Sequence, residues 1–304
     1  MAENNWKGKT RGGLLGYKIF VFLIRFFGIG SAYFLLIFVA LYFVFFSMAS
    51  TKAIYSFFRL RLQKGILDST IGVYRTYFSF GQALIDRTAF LAGHTNRFSF
   101  DYDGEHHIKS MADAGKGGVL ISAHVGNWAI AGNILDDNMS ENTQVNVVML
   151  DEEHQKIQEF LDKTQKKQRV NIIGIKNDRS HIFKMGIALQ NGELLCMHGD
   201  RFLSGAETIS VDFFGEKAYL PKGPFQLVCK MNVPYTVVYA FKESFSHYHF
   251  FSTPPIENTK GVEDAAQKFA NSLEEKIRRY PFQWYNFFDF WQNPDTLSSN
   301  SKIA

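Results

Sequence analysis

Between Arg25 and Lys52 the chain carries no charged residue, and inside that interval the run SAYFLLIFVALYFVFF, Ser31 to Phe46, is apolar. Its length approaches the ~20 residues that cross a hydrocarbon core, so we read it as a membrane segment. A cleaved secretory signal is the competing reading, but the run is long and Phe-rich and lacks a small-residue cleavage site. The preceding stretch LLGYKIFVFLIRFFGIG sets Lys18 and Arg25 into an apolar stripe suited to the membrane interface. Basic residues flank both ends, so charge does not choose an orientation. A full span and a helix that dips in and leaves the body on the cytoplasmic face both stay open.

Charge follows the same division. Up to Lys64 there are nine basic residues against the single acid Glu3, while the whole chain of 304 residues has a net charge of only +4. The basic character thus belongs to the N-terminal segment, which points to an anionic membrane surface rather than to nucleic acid. The 31 phenylalanines fit contact with membrane or the handling of lipid. Cys196 and Cys229 lack C-x-x-C spacing, so we expect no disulfide framework and a reducing compartment.

Beyond Lys64 the pattern becomes an alternation. A long helix is expected over Ser69 to Leu91, then a strand FSFDYD and a short helix ending at Gly115. Apolar strands follow at Val119–Ser122, Val145–Leu150, Asn171–Ile175, Glu193–Asp200 and Tyr235–Phe241, with helical stretches such as EEHQKIQEFLDKTQ and SHIFKMGIALQ between most of them. A late helix over DAAQKFANSLEEKIRRY is stopped by Pro281. This predicts an α/β layered domain with a mostly parallel central sheet, preceded by an N-terminal membrane helix. The divisions are residues 1–50 as anchor or interfacial segment, 51–292 as the catalytic-sized domain and 293–304 as a mobile tail.

In parallel sheets chemistry collects at the carboxyl ends of strands. There the segment SAHVGNWAIAG, Ser122 to Gly132, puts His124 after a buried strand and before a helix with Gly126 in its first turn. A histidine held in that position can take a proton from a hydroxyl. A core histidine with satisfied hydrogen bonds is the plainer alternative.

Three ordered blocks weigh against the plainer one. His124 to Trp128 with Ile130 resembles the H-x-x-x-x-D/E block of the lysophospholipid acyltransferase superfamily, and more closely the HFGNWE-type block of the lipid A late acyltransferases. HGDRFLSGAETISVDFFGEKAYLPKGPFQLVCKMNVPYTVVYAF, His198 to Phe241, is similar to that family's second block. YPFQWYNFFDFW, Tyr280 to Trp291, is like its closing aromatic segment. The resemblance implies an acyl thioester donor, usually acyl carrier protein, a lipid A-like or other lipid acceptor with a hydroxyl or amine, and no cofactor or metal. It makes His124 the base and an acid five positions later its partner. It places Asp200 and Arg201 in the same cleft, with Arg201 available to a phosphate or an oxyanion. It extends substrate contact to Asn127, Trp128, Phe214, Gly215, Lys222, Gly223, Gln283 and Trp284. The implied location is the bacterial inner membrane with the catalytic domain on the cytoplasmic side.

Position 129, the acid of the family block, is alanine here. Asp136 and Asp137 lie two helical turns further on, so no other carboxylate of the block reaches His124 locally, though one from a distant loop could. We read the chain as an inactivated variant, by replacement or by divergence. The other readings are an acyltransferase for an amino-lipid or aryl-polyene pigment lipid, and a lipid-binding pseudoenzyme. Weaker candidates are His106 and His107, expected in a solvated loop, and His247 and His249, expected on one sheet face. KTQKKQR, Lys163 to Arg169, is suited either to an acidic carrier or to a solvated helix face. No FPEG-type phosphate block is present.

Overall fold

The computed structural model describes residues 13–130, 143–150, 170–175, 178, 180–202, 205–257 and 259–293. Seven strands form the central sheet: β1 (Ser99–Asp103), β2 (Gly118–Ser122), β3 (Val145–Leu150), β4 (Asn171–Ile175), β5 (Leu194–His198), β8 (Tyr235–Lys242) and β9 (His247–Ser252). Their order is β1-β9-β8-β2-β5-β3-β4, and a two-stranded hairpin, β6 (Thr208–Phe213) and β7 (Glu216–Pro221), stands apart. Only the β8–β9 pair of the sheet is antiparallel. The mostly parallel sheet expected from the alternation is therefore present. Strand β2, GVLIS, is buried at every residue, as a strand covered on both faces must be.

The helices are α1 (Gly13–Phe27), α2 (Ile29–Phe46), α3 (Met48–Ser56), α4 (Ile66–Leu91), α5 (Glu105–Asp113), α6 (Ser180–Gln190), α7 (Lys222–Met231) and α8 (Val262–Arg279), with a π-helical turn at Phe57–Arg61. His106 and His107 fall in the first turn of α5 and not in a loop, because Gly104 in the left-handed conformation ends β1 and starts the helix at Glu105. His247 and His249 do share one face of β9, where they meet Asp101 and Asp103 of β1 at 3.3 and 3.1 Å. The helix expected over 152–165, the run 163–169 and the tail from 294 onward lie outside the described residues.

Helix α2 is the one helix among the described residues long and apolar enough to cross a membrane. Its buried residues, Ile29, Ala32, Tyr33, Leu36 and Ala40, recur at helical spacing on one face. That face lies on α4. A Cβ at Gly81 of α4 would sit 2.2 Å from Leu36 Cδ1, so the glycine is what lets the helices approach. Tyr33 bonds Asp86 and Phe43 stacks on Tyr77, so rising numbers on α2 meet falling numbers on α4 and the pair is antiparallel along its length. The other face, with Phe34, Phe38, Leu41 and Phe45, is exposed.

The turn between β6 and β7 has Phe214 at φ 52° and Gly215 at φ 77°. Positive φ at both central residues is the twist a two-residue hairpin requires, and it is costly for phenylalanine. The Phe214 amide donates to Glu274 of α8, and its ring packs among Phe57, Phe213 and Trp291, which offsets that cost.

Candidate functional site: a histidine–aspartate pair at the carboxyl ends of β2 and β5

Parallel pairing of β2 with β5 sets Ser122 against His198. Two residues further along each chain, His124 and Asp200 arrive at the same level. His124 Nδ1 lies 2.9 Å from Asp200 Oδ1, and the His124 amide donates to Asp200 Oδ2 at 2.9 Å. The carboxylate thus holds both the ring and the backbone of His124. A carboxylate from a distant loop does reach the imidazole.

The Asp200 side chain is 1% exposed against 25% for His124. Burial alone would raise the Asp200 carboxyl. The charge and hydrogen bond of His124, with the Arg201 guanidinium, hold it well below the usual carboxylate range. An ionised carboxylate only accepts, so Nδ1 carries a proton, and in the neutral ring the lone pair is therefore on Nε2. That is the tautomer of a general base.

His198, which the block assignment passed over, stacks on His124 with ring centroids 4.4 Å apart, and Trp128 meets it edge-on at 4.9 Å. Burial, then the neighbouring His124, lower His198 from the ordinary 6.5 to about 3. It is a neutral ring beside His124. The matching pairs of a strand end followed two residues later by His or Asp, in VLISAH and LLCMHGD, were the signal for this meeting. Ligating atoms of His124, His198 and Asp200 lie within 4.8 Å of one another. The hydrogen bond and the ring stack engage them with each other, an arrangement that handles a proton. Behind them, burial pushes the Cys196 thiol up to about 12, which rules it out as a thiolate nucleophile.

The loop carrying His124 is pinned at successive amides. Val125 donates to Ala123 at 2.8 Å, Gly126 to Gln283 at 2.8 Å and Asn127 to Ala240 at 2.7 Å, while the His124 carbonyl accepts from Tyr285 at 3.0 Å. Gly126 has φ 58°, and a Cβ there would fall 1.9 Å from the Ala240 oxygen. Gly126→Ala is expected to cost at least about 2 kcal/mol, from overpacking together with the left-handed penalty. Chemical denaturation in detergent measures it, and an unchanged midpoint would refute the close approach.

Of the other residues named from sequence, Gln283 and Trp284 support this loop, Trp284 by a bridge to Val125. Asn127 Nδ2 donates to the Ala83 carbonyl at 3.0 Å and to Tyr248 Oη at 3.2 Å. Arg201 donates to the Tyr285 carbonyl and lies over Phe288. Ala129 sits in the helical turn that starts at Trp128. Phe214 and Gly215 form the hairpin turn, Lys222 pairs with Glu207 at 3.0 Å, and Gly223 is in the first turn of α7. Phe214 contacts Glu274, Phe57 and Trp291, and Lys222 contacts Glu207, rather than His124. An apolar groove of about 470 Å³ between α2, α3 and α4, lined by Val44, Met48, Tyr55 and Val73, also lies away from the pair.

His198 sets a pH window. A buried histidine with a lowered value adds stability that is whole above the unfolded 6.5 and is lost as pH falls towards about 3, because the unfolded chain binds that proton first. The thermal midpoint is expected to decline between pH 6.5 and 3 and to decline less in His198→Phe. Equal slopes for the two proteins would remove this assignment.

A mostly parallel α/β sheet carries a carboxylate-bonded histidine at its strand ends, on a domain preceded by a helix with one exposed apolar face. The chain belongs to the bacterial lipid A biosynthesis acyltransferase family, whose sequence model matches residues 73–293. It is similar to a phosphatidylinositol mannoside acyltransferase of Mycolicibacterium smegmatis, 25% identical over 61% of this chain and 60% of the relative. A protein of the same description from Mycobacterium tuberculosis is 25% identical over 62% of this chain and 58% of its own. The matched part thus spans about three fifths of these relatives.

Proposed function

We propose that this chain is a membrane-bound acyltransferase. It moves a fatty acyl group from an acyl thioester, with acyl carrier protein as the donor, to a hydroxyl or amine of a lipid acceptor of the lipid A or glycolipid kind. The observation that carries the reading is the pairing of His124 with buried Asp200. His124 Nε2 takes the proton of the acceptor hydroxyl as its oxygen forms a bond to the thioester carbonyl carbon. The resulting oxyanion collapses with cleavage of the carbon–sulfur bond, and the imidazolium returns its proton to the departing thiolate. Arg201, beside Asp200 and bonded to the Tyr285 carbonyl, is a cation at the site that an oxyanion or an acceptor phosphate could engage.

A second reading is favoured by Ala129 standing at the family's acid position. In it the chain binds donor and acceptor but is impaired or inert. Asp200 supports the active reading, because it supplies the tautomer control and charge that an acid at 129 was expected to supply. The test measures lipid products by mass spectrometry after incubation with palmitoyl–acyl carrier protein and a bacterial lipid extract, for the chain as it stands, Ala129→Glu and His124→Ala. Transfer by the first above the third supports a working enzyme. Transfer by Ala129→Glu alone supports impairment, and none by any supports a lipid-binding protein.

For location we infer the cytoplasmic face of the inner membrane, where acyl thioesters are made. Since α4 covers one side of α2 along its length, α2 lies in the interface and both its ends stay on one side of the membrane. Cysteines placed at Gly30 and Met48 should then react with an impermeant maleimide from the same side. Labelling from opposite sides would establish a full span instead.

A further inference from the structure

Asp86, near the C-terminal end of α4, is fully buried, yet it gathers three donors from three separate parts of the chain. Tyr33 of α2 donates to Oδ1. Lys242 Nζ at 2.6 Å and Tyr248 Oη donate to Oδ2. Lys242 also donates to the Phe245 carbonyl at 2.6 Å, and its side chain is only 9% exposed. A buried ion pair is weak support for stability, since apolar residues of like volume commonly serve as well. Its geometry suggests a different use.

Two paths lead from this cluster to the loop of His124. Tyr248, bonded to Asp86, accepts from Asn127 Nδ2, three residues after His124. Lys242 is gripped through its backbone by the Gln283 side chain, which accepts from its amide at 2.9 Å and donates to its carbonyl at 2.8 Å. The Gln283 carbonyl in turn takes the Gly126 amide. The far end of the cluster is a residue of the apolar helix.

We propose that α2 is a positioning element of the catalytic site, with Tyr33 and Asp86 as positioning residues that fix the His124 loop through Tyr248–Asn127 and Lys242–Gln283. The consequence for catalysis rests on the acyltransferase reading, while the placement of the loop does not. How α2 is seated on α4 then sets how His124 is presented, and the lipid contact of its outer face bears on the site as well as on attachment.

Tyr33→Phe and Tyr248→Phe each remove one hydroxyl and keep the ring. Tyr42→Phe, on the exposed face of α2, is the control. The proteins are full-length in lipid vesicles, and two quantities are read. One is the carbethoxylation rate of His124 by diethyl pyrocarbonate at pH 7, from the mass of its peptide, which needs no acyl substrate. The other is kcat and KM for transfer from palmitoyl–acyl carrier protein. In the two inner variants the His124 rate is expected to change about threefold or more, and kcat to fall about tenfold with KM little changed, as a small misplacement of a catalytic group would cause. Tyr42→Phe should change neither. Should the inner variants melt lower yet keep the wild-type His124 rate, the cluster is structural only and the proposal fails. A changed rate in a protein that transfers no acyl group would leave the positioning intact and overturn the acyltransferase reading alone.

Discussion

Asp200→Asn should lower acyl transfer about 10,000-fold while leaving the fold in place, by analogy with the same substitution in hydrolytic triads. The asparagine oxygen can still accept the His124 amide, as Oδ2 does at 2.9 Å. The amide nitrogen then faces Nδ1 and donates to it, which moves the ring proton to Nε2 and removes the base from the position that meets the acceptor. The imidazolium also loses its counter-charge. His124→Ala should fall to a similar level, and the double variant no further, because the two act as a unit. Single-turnover transfer decides this. A loss below tenfold for Asp200→Asn would mean that His124 takes its tautomer from elsewhere.

Lys242→Met should destabilise the protein by about 3–5 kcal/mol, the usual result of leaving one member of a buried ion pair without its partner. Asp86 has no exposed surface, and the ammonium 2.6 Å away is its only cationic hydrogen-bond partner among the described residues. Burial lowers the Lys242 pKa, and the Asp86 carboxylate opposes that shift. Adding Asp86→Leu to Lys242→Met should restore most of the lost stability, since no uncompensated charge remains. It should not restore transfer if Asp86 positions the His124 loop. Urea midpoints in detergent and transfer rates together separate these effects, and a single variant as stable as the parent would show that the carboxylate is satisfied without lysine.

The sheet was legible because its strands are short apolar runs bounded by polar residues. Val145–Leu150 and Asn171–Ile175 have the expected limits, and Val119–Ser122 gains only Gly118. The α4 pattern likewise placed a helix to within three residues, from Ser69 to Ile66. Of the site, His124 and Asp200 were both read, each from its own block. Their direct contact was not, since it spans 76 residues and depends on the β2–β5 register. His198 was hidden by the same cause, as a stacked ring leaves no periodic trace. The Asp86 cluster was less accessible still: Tyr33, Lys242 and Tyr248 lie 53, 156 and 162 residues away, and each in isolation reads as an ordinary member of an apolar helix or strand.

The one-sided cover of α2 has a consequence for how the protein is made. At the ribosome's pace of about 5–20 residues per second, the stretch ending at Phe46 precedes the end of its covering helix, Leu91, by about 2–9 seconds. Lys242 and Tyr248 follow Tyr33 after about 10–40 seconds. Through that interval the phenylalanine-rich segment has no protein to cover it, and lipid or a chaperone is its only shelter. Under the proposed membrane-bound reading, the nascent chain reaches the bilayer before the sheet exists, and the domain assembles against a helix already in place there.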